Sequence, residues 1–218
     1  MEKEFWIEKW QNNQIGFHKD KTHPLLIKYI DRLQLCRNDT VFVPLCGKTV
    51  DMLWLNAQGY KVLGVELSTL AVEQFFQENN LVYKQSQDGL FNVYTYENIT
   101  IYQGDFFAMT DTHCIDVSAV YDRAALIALP DELVEKYVQK MNEIIPDTIN
   151  ELLITLEFVK TSGAVGPPFS TPDNKVQQLF ENCTSIKLLQ KLDIIAREPR
   201  FQSQGCEYVY ERAYLLGF

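Results

Sequence analysis

The chain's candidate chemistry gathers where short apolar runs stop. Val41-Phe42-Val43-Pro44-Leu45 ends at Cys46-Gly47-Lys48-Thr49, and the last three of these residues match the end of a phosphate-binding P-loop. That loop also needs a glycine five residues before Gly47, so that backbone N–H groups can wrap the phosphates, and the residue there is Phe42. The dinucleotide fingerprint G-x-G-x-x-G fails as well, because Gly47 is the only glycine between Val41 and Gln58. Neither a nucleoside triphosphate nor NAD has a glycine-lined approach. Glu66 lies in the next apolar run, 19 positions after Gly47, where a carboxylate can accept hydrogen bonds from both hydroxyls of a ribose. The competing reading of Glu66 is a solvated strand-end acid. Ribose recognition without a pyrophosphate cradle points to S-adenosyl-L-methionine, which joins adenosine to a sulfonium-bearing amino acid.

Two further strand ends carry polar residues. One is Gly104-Asp105, and the other is Tyr121-Asp122-Arg123. The permanently charged Arg123 can reach a carboxylate or an anionic substrate. Asp122 beside it can steer a proton or fix Arg123, or it can cap a turn. The five cysteines, Cys36, Cys46, Cys114, Cys183 and Cys206, form no C-x-x-C pair and have only three histidines to complete a metal site. They read as free, buried thiols, so no metal is expected.

The elements that must position these residues alternate between strand and helix. Strands are predicted at Val41–Leu45, Lys61–Leu67, Ile99–Tyr102, Val117–Tyr121, Glu151–Phe158, Ser185–Asp193 and Tyr208–Leu216. Helices are predicted at Asp51–Gln58, after the N-cap Ser68, at Asp131–Ile145 and at Asp173–Glu181. Gln85 to Asn98 reads as a hairpin excursion, and Thr161 to Pro172 as a Gly- and Pro-rich active-site loop. Glu151 to Phe158 is too continuously apolar for a half-exposed strand and reads as buried on both faces. The pattern implies an α/β fold with a mostly parallel sheet covered on both faces, and ligands outside the carboxyl ends of its strands.

Composition sets the outer bounds. At 218 residues, 46% apolar and 22% charged, with no biased tract, the chain is expected to form a single domain over 1–218. Twenty basic against 29 acidic side chains leave a formal charge of −9, which disfavours a broad surface for nucleic acid or anionic lipid. No apolar run approaches the roughly 20 residues of a membrane span, and the start lacks a secretory signal pattern, so a cytoplasmic location is expected.

The segments Val43-Pro44-Leu45-Cys46-Gly47-Lys48-Thr49-Val50-Asp51-Met52-Leu53-Trp54, Gly64-Val65-Glu66-Leu67-Ser68, Tyr121-Asp122-Arg123-Ala124-Ala125-Leu126 and Gly166-Pro167-Pro168-Phe169 resemble the thiopurine S-methyltransferase family. So does Trp6-x-x-x-Trp10 followed by Gly16-Phe17-His18, and the resemblance runs in order from Phe5 to Leu216, with the length of the bacterial members. It implies a Rossmann-like, seven-stranded class I methyltransferase sheet with an N-terminal helical cover over residues 1–30. It also implies methylation of aromatic or heterocyclic thiols such as thiopurines, with selenium and tellurium compounds as further acceptors. A catalytically inactive S-adenosylmethionine-binding sensor is the alternative.

Carried over by residue, the resemblance assigns cofactor contacts to Trp10, Leu45, Glu66, Asp105, Phe106 and Arg123. Trp10 and Phe106 supply apolar faces; alone, Trp10 would read as a hydrophobic staple and Phe106 as core. Catalysis falls to Asp122 and Arg123, and substrate contact to Phe17, His18 and Arg200, with Arg197 as the rival of Arg200. His23 stands where the family has an asparagine and reads as a structural turn residue. A monomer acting on a small-molecule thiol, with no nucleic acid or membrane partner, is expected.

Overall fold

The computed structural model describes residues 3–160 and 166–218; residues 161–165 of the Gly- and Pro-rich loop lie outside the described residues. In chain order the elements are α1 (Lys3–Gln11), α2 (Pro24–Tyr29), β1 (Thr40–Val43), α3 (Asp51–Ala57), β2 (Lys61–Glu66), α4 (Thr69–Glu78), β3 (Lys84–Asp88), β4 (Phe91–Tyr96), β5 (Ile99–Gln103), α5 (Asp111–Cys114), β6 (Val117–Arg123), α6 (Asp131–Ile144), β7 (Asn150–Phe158), α7 (Asp173–Leu179), β8 (Ser185–Asp193), α8 (Pro199–Ser203) and β9 (Val209–Gly217). The strands form one sheet in the order β3-β4-β5-β2-β1-β6-β7-β9-β8.

The five central strands, β5, β2, β1, β6 and β7, run parallel. Antiparallel pairs flank them on both sides. Among the described residues the sheet therefore has nine strands where seven were expected. The two additional strands are the hairpin β3–β4, which extends the β5 edge. At the β5 edge the antiparallel order follows from the two-residue link between β4 and β5, whereas a parallel neighbour needs a long crossover.

Each face of the sheet carries its own helices. Val41, Val43, Val62, Ile101, Tyr121 and Leu152 pack against side chains of α2, α3 and α4 on one face. On the other, Phe42, Leu63, Val65, Val120, Leu153 and Tyr214 meet α6, α7 and the end of α5. Alternating residues of one strand thus serve opposite layers. Helix α4 starts at Ser68, whose Oγ accepts the Ala71 N–H at 3.3 Å, and Ala71, Val72, Phe75 and Phe76 make its buried stripe. Burying either phenylalanine is worth about 1.5–3 kcal/mol. Helix α6 buries Val134, Tyr137, Val138, Met141 and Ile144 at 3.6-residue spacing and stops before Pro146.

Two helices, α1 and α2, lie within residues 1–30, where an N-terminal cover is expected. His23 caps α2, its Nδ1 accepting the Leu25 N–H at 3.3 Å with Pro24 at the first helical position. It is the structural turn residue that its position suggested. Among the described residues no helix is long and apolar enough to cross a membrane. Cys46, Cys114 and Cys206 are buried and Cys183 is half-buried, while Cys36 departs from the expectation and is exposed; all five are free thiols.

Candidate active site

The loop after β1 brings three expected residues together. Leu45 and Gly47 both have left-handed backbone, at φ 45° and 54°, which turns the chain out of the strand. The Gly47 N–H then donates to Glu66 Oε2 at 2.8 Å, and the Ser68 N–H donates to Glu66 Oε1 at 2.7 Å. Glu66 is only 6% exposed, and burial pushes its carboxyl above the ordinary range against the pull of these backbone donors. With Gly47, Ser68 and Leu67 as backbone donors, the carboxylate keeps lone-pair capacity to receive a ribose hydroxyl. The Gly47 N–H is committed to Glu66, which leaves it no part in wrapping a phosphate. Lys48 is likewise engaged, its Nζ 2.7 Å from Glu78 Oε1 on α4. This donor set fits an adenosine ribose and does not fit a pyrophosphate.

The backbone behind the loop is crowded. A Cβ on Gly64 would lie 2.9 Å from Cys46 Sγ, and one on Gly47 would lie 3.1 Å from Trp10 Cζ2. Trp10 therefore closes directly over the loop. Phe17 meets Trp6 and Trp10 edge to face, with ring centroids 5.6 Å apart in both pairs. The cover is tied down at two separate places, by Lys3 to Asp105 at 2.7 Å and by Lys19 to Glu198 at 3.1 Å.

Cationic groups line the side next to Phe17. The imidazole of His18 is pressed below its ordinary pKa by burial and by the neighbouring Lys48 and Arg123, which outweigh Asp20 and Glu78. Its Nε2 lies 3.2 Å from Asp20 Oδ1. Arg200 sends Nη2 to the Pro167 carbonyl at 3.5 Å, and its Nη1 lies 3.3 Å from where a Cβ on Gly16 would be. The loop beyond Pro167 is held against the 3₁₀ turn after β6 and against β7 by the Phe169 N–H to the Ile127 carbonyl and the Thr171 N–H to the Leu156 carbonyl, both at 2.7 Å.

A family model for thiopurine S-methyltransferase matches residues 1–217. The chain belongs to this family. It is 41% identical over 216 residues to the thiopurine S-methyltransferase of Shewanella frigidimarina, covering 99% of this chain and 98% of that one. It is 42% identical to those of Pseudomonas aeruginosa strain UCBPP-PA14 and Nitrosospira multiformis, again over 99% of this chain, with 99% and 98% of theirs covered. Its fold is similar to that of the Burkholderia thailandensis 1,6-didemethyltoxoflavin-N1-methyltransferase, at TM-score 0.65 and 10% identity, over 99% of this chain and 86% of that one. A methyltransferase of Anabaena variabilis matches at TM-score 0.63 and 13% identity, over 99% and 94%. The protein is a methyltransferase that uses S-adenosylmethionine.

Among the expected site residues, Trp10 lies over Gly47 in the β1 loop, whose N–H meets Glu66, Phe17 packs on Trp10, His18 senses the charges of Lys48 and Arg123, and Arg200 abuts Gly16. Asp105 caps a 3₁₀ turn through the Phe107 N–H at 3.0 Å and holds Lys3. Phe106 is buried against Tyr137, with ring centroids 4.9 Å apart, while Phe107 is the more exposed of the two. Arg197, the rival of Arg200, sits in a 3₁₀ turn at Ile195–Arg197.

Asp122 does not stand beside Arg123. Successive residues of β6 face opposite layers, so Arg123 shares the side of Tyr121 and His18 while Asp122 points into the α6 layer. It is 0% exposed and accepts the Tyr137 hydroxyl at 2.7 Å and the Leu126 N–H at 3.2 Å. Ala124, at φ 66°, begins the turn that Asp122 caps. Asp51 was not singled out from the sequence, yet it accepts the His23 N–H at 2.7 Å and the Tyr121 hydroxyl at 2.9 Å. It joins the cover to β6. An acid opening a helix after a glycine loop was the available signal.

Proposed function

We propose that this enzyme methylates the sulfur of aromatic or heterocyclic thiols such as thiopurines, and that soft selenium and tellurium compounds are further acceptors. The observation that carries this reading is the meeting of an aromatic wall with cationic groups. Phe17, backed by Trp6 and Trp10, offers a flat apolar surface beside Arg123, Lys48 and Arg200. A flat ring bearing an acidic thiol suits such a place. The cofactor supplies, when bound, a methyl group on a sulfonium, which the acceptor sulfur takes by in-line displacement.

The protein's own task is alignment. Glu66 receives the ribose hydroxyls from its backbone cradle, Leu45 and Trp10 close over the cofactor beside it, and Asp105-Phe106 border the adenine. Arg123 and Arg200 hold the acceptor as its thiolate, the nucleophilic form. His18, kept neutral by burial and its cationic neighbours, offers a polar contact without adding charge. Holding the two reactants in line accounts for several kcal/mol of barrier lowering, about 7–11 where the geometry is ideal, and calls for no strong general base. The acceptor is a small molecule, and we place the enzyme in the cytoplasm as a monomer of one domain, with neither nucleic acid nor membrane as partner.

A panel assay tests the proposal. Purified protein and methyl-labelled cofactor are incubated with 6-mercaptopurine, a benzenethiol, selenite and tellurite, and S-adenosylhomocysteine binding is followed by calorimetry. Label on the thiol sulfur is the expected result. Tight S-adenosylhomocysteine binding with no labelled thiol overturns the thiol reading and favours a sensor.

A further inference from the structure

Beneath the turn that bears Arg123 lies a buried acid that the reaction does not use. Glu151, on β7, is 1% exposed, and neither of its carboxyl oxygens has a hydrogen-bond partner. The register pairs Val120 with Glu151 and Asp122 with Leu153, so Glu151 is the diagonal neighbour of Asp122 on the same face of the sheet. Tyr137 of α6 completes the group, its hydroxyl on Asp122 at 2.7 Å. Two carboxyls this close, both out of water, do not ionise together. Their environments differ sharply. Asp122 receives the Tyr137 hydroxyl and the Ala125 and Leu126 N–H groups, whereas Glu151 receives nothing.

We propose that Glu151 stands as a neutral carboxylic acid against ionised Asp122, and that Glu151, Asp122 and Tyr137 act together as the positioning unit for the end of β6, where Arg123 leads into the turn that Asp122 caps. The proposal rests on Arg123 facing the acceptor. The charged and titratable groups around the pair are few. Asp122 meets Tyr137 from α6, and Glu151 meets Asp122 from β6, Tyr137 from α6 and the Cys183 thiol beyond α7. None of them is a cation. Burial pushes Asp122 up to about 6, and burial together with the Asp122 charge pushes Glu151 well above the carboxylate range. At neutral pH the proton therefore stays on Glu151, and the single negative charge goes where three donors await it.

Infrared difference spectra of the full chain test the protonation state without requiring turnover. At pH 7 the wild type should show the carbonyl band of a protonated carboxylic acid, and Glu151→Gln, which keeps shape and neutrality, should lack it. An unchanged spectrum overturns the proposal. Tyr137→Phe tests positioning: acceptor KM should rise about tenfold, the effect of losing one buried hydrogen bond to a charge, with S-adenosylhomocysteine affinity unmoved. An unchanged acceptor KM in Tyr137→Phe would overturn the positioning role. If no acceptor is methylated, the function proposed above fails by itself. The infrared band and the amide exchange of Leu126, expected to quicken in Tyr137→Phe, then decide the present proposal, and unaltered exchange counts against it.

Discussion

Two regions of one sheet bury carboxylates, and they treat them in opposite ways. At the end of β2, Glu66 is gripped through both oxygens by main-chain N–H groups from Gly47 and Ser68. Its fixed geometry comes from the backbone, so its remaining lone pairs are free for a ligand. In β6 and β7, Asp122 and Glu151 lie within the α6 layer, where Asp122 holds the backbone in place through Leu126 and answers to Tyr137. The first region uses main chain to present an acid, and the second uses an acid to shape main chain. Solvent reach alone would not separate them, since Glu66 is 6% exposed and Asp122 is 0%. Donor identity does.

The largest effect should come from breaking the first region. Glu66→Ala removes the charged acceptor of the ribose hydroxyls, at about 1.5–3 kcal/mol per hydrogen bond, so S-adenosylhomocysteine affinity should fall by about 100-fold or more in calorimetry. Affinity within about threefold of wild type would move the ribose elsewhere. Arg123→Ala should come next, lowering kcat/KM for a thiopurine about 100-fold through the loss of a charge-assisted contact. Turnover of the thiopurine unaffected by this change would remove Arg123 from the reaction.

The second region is sharpened by pH. Glu151 keeps its proton when folded and loses it when unfolded once the pH passes the ordinary carboxylate range. A raised folded pKa contributes stability that is present below the unfolded value and lost as pH rises toward the folded one. One extra proton in the native state corresponds to a decline of about 1.4 kcal/mol per pH unit. Between pH 5 and 8 denaturant unfolding of Glu151→Gln should therefore show a flatter decline than wild type. Parallel curves would mean that Glu151 ionises inside the fold.

How much of this was legible before the fold was in view depended on the range of the cause. Strand β8 was readable to the residue, Ser185–Asp193, and α6 nearly so, because local turn and periodicity signals bound them. Glu66 was readable too, since its distance from Gly47 is fixed by one strand-helix-strand unit. Strand β3 was readable only as a vague excursion, because Lys84-Gln85-Ser86-Gln87-Asp88 is exposed throughout and carries no apolar alternation. Its pairing with β4 supplies what its residues do not. Asp122 and Arg123 illustrate the same limit at the site. Alternation along a strand already separates their faces, but only the long-range contact with Tyr137 says which face is closed. Glu151 opens the run read as buried on both faces and was not singled out, because its meaning required its neighbour across the sheet.

The smallest effect tests the outer rim, where local sequence offered two arginines. Arg200 touches the Pro167 carbonyl and abuts Gly16, one residue before Phe17, so it bridges the cover and the loop over the acceptor region. Arg197 lies a turn earlier in the 3₁₀ segment that precedes α8. Both side chains are exposed, so neither substitution should unfold the protein. Arg200→Ala should raise acceptor KM about fivefold with kcat little changed, because an exposed guanidinium supplies binding shared by ground and transition states. Arg197→Ala should stay within about twofold on both parameters. The reverse order would put the acceptor on the far side of Glu198, and with it the anchor that Lys19 makes from the cover at 3.1 Å. The aromatic wall at Phe17 would then face away from the arginine that completes the site.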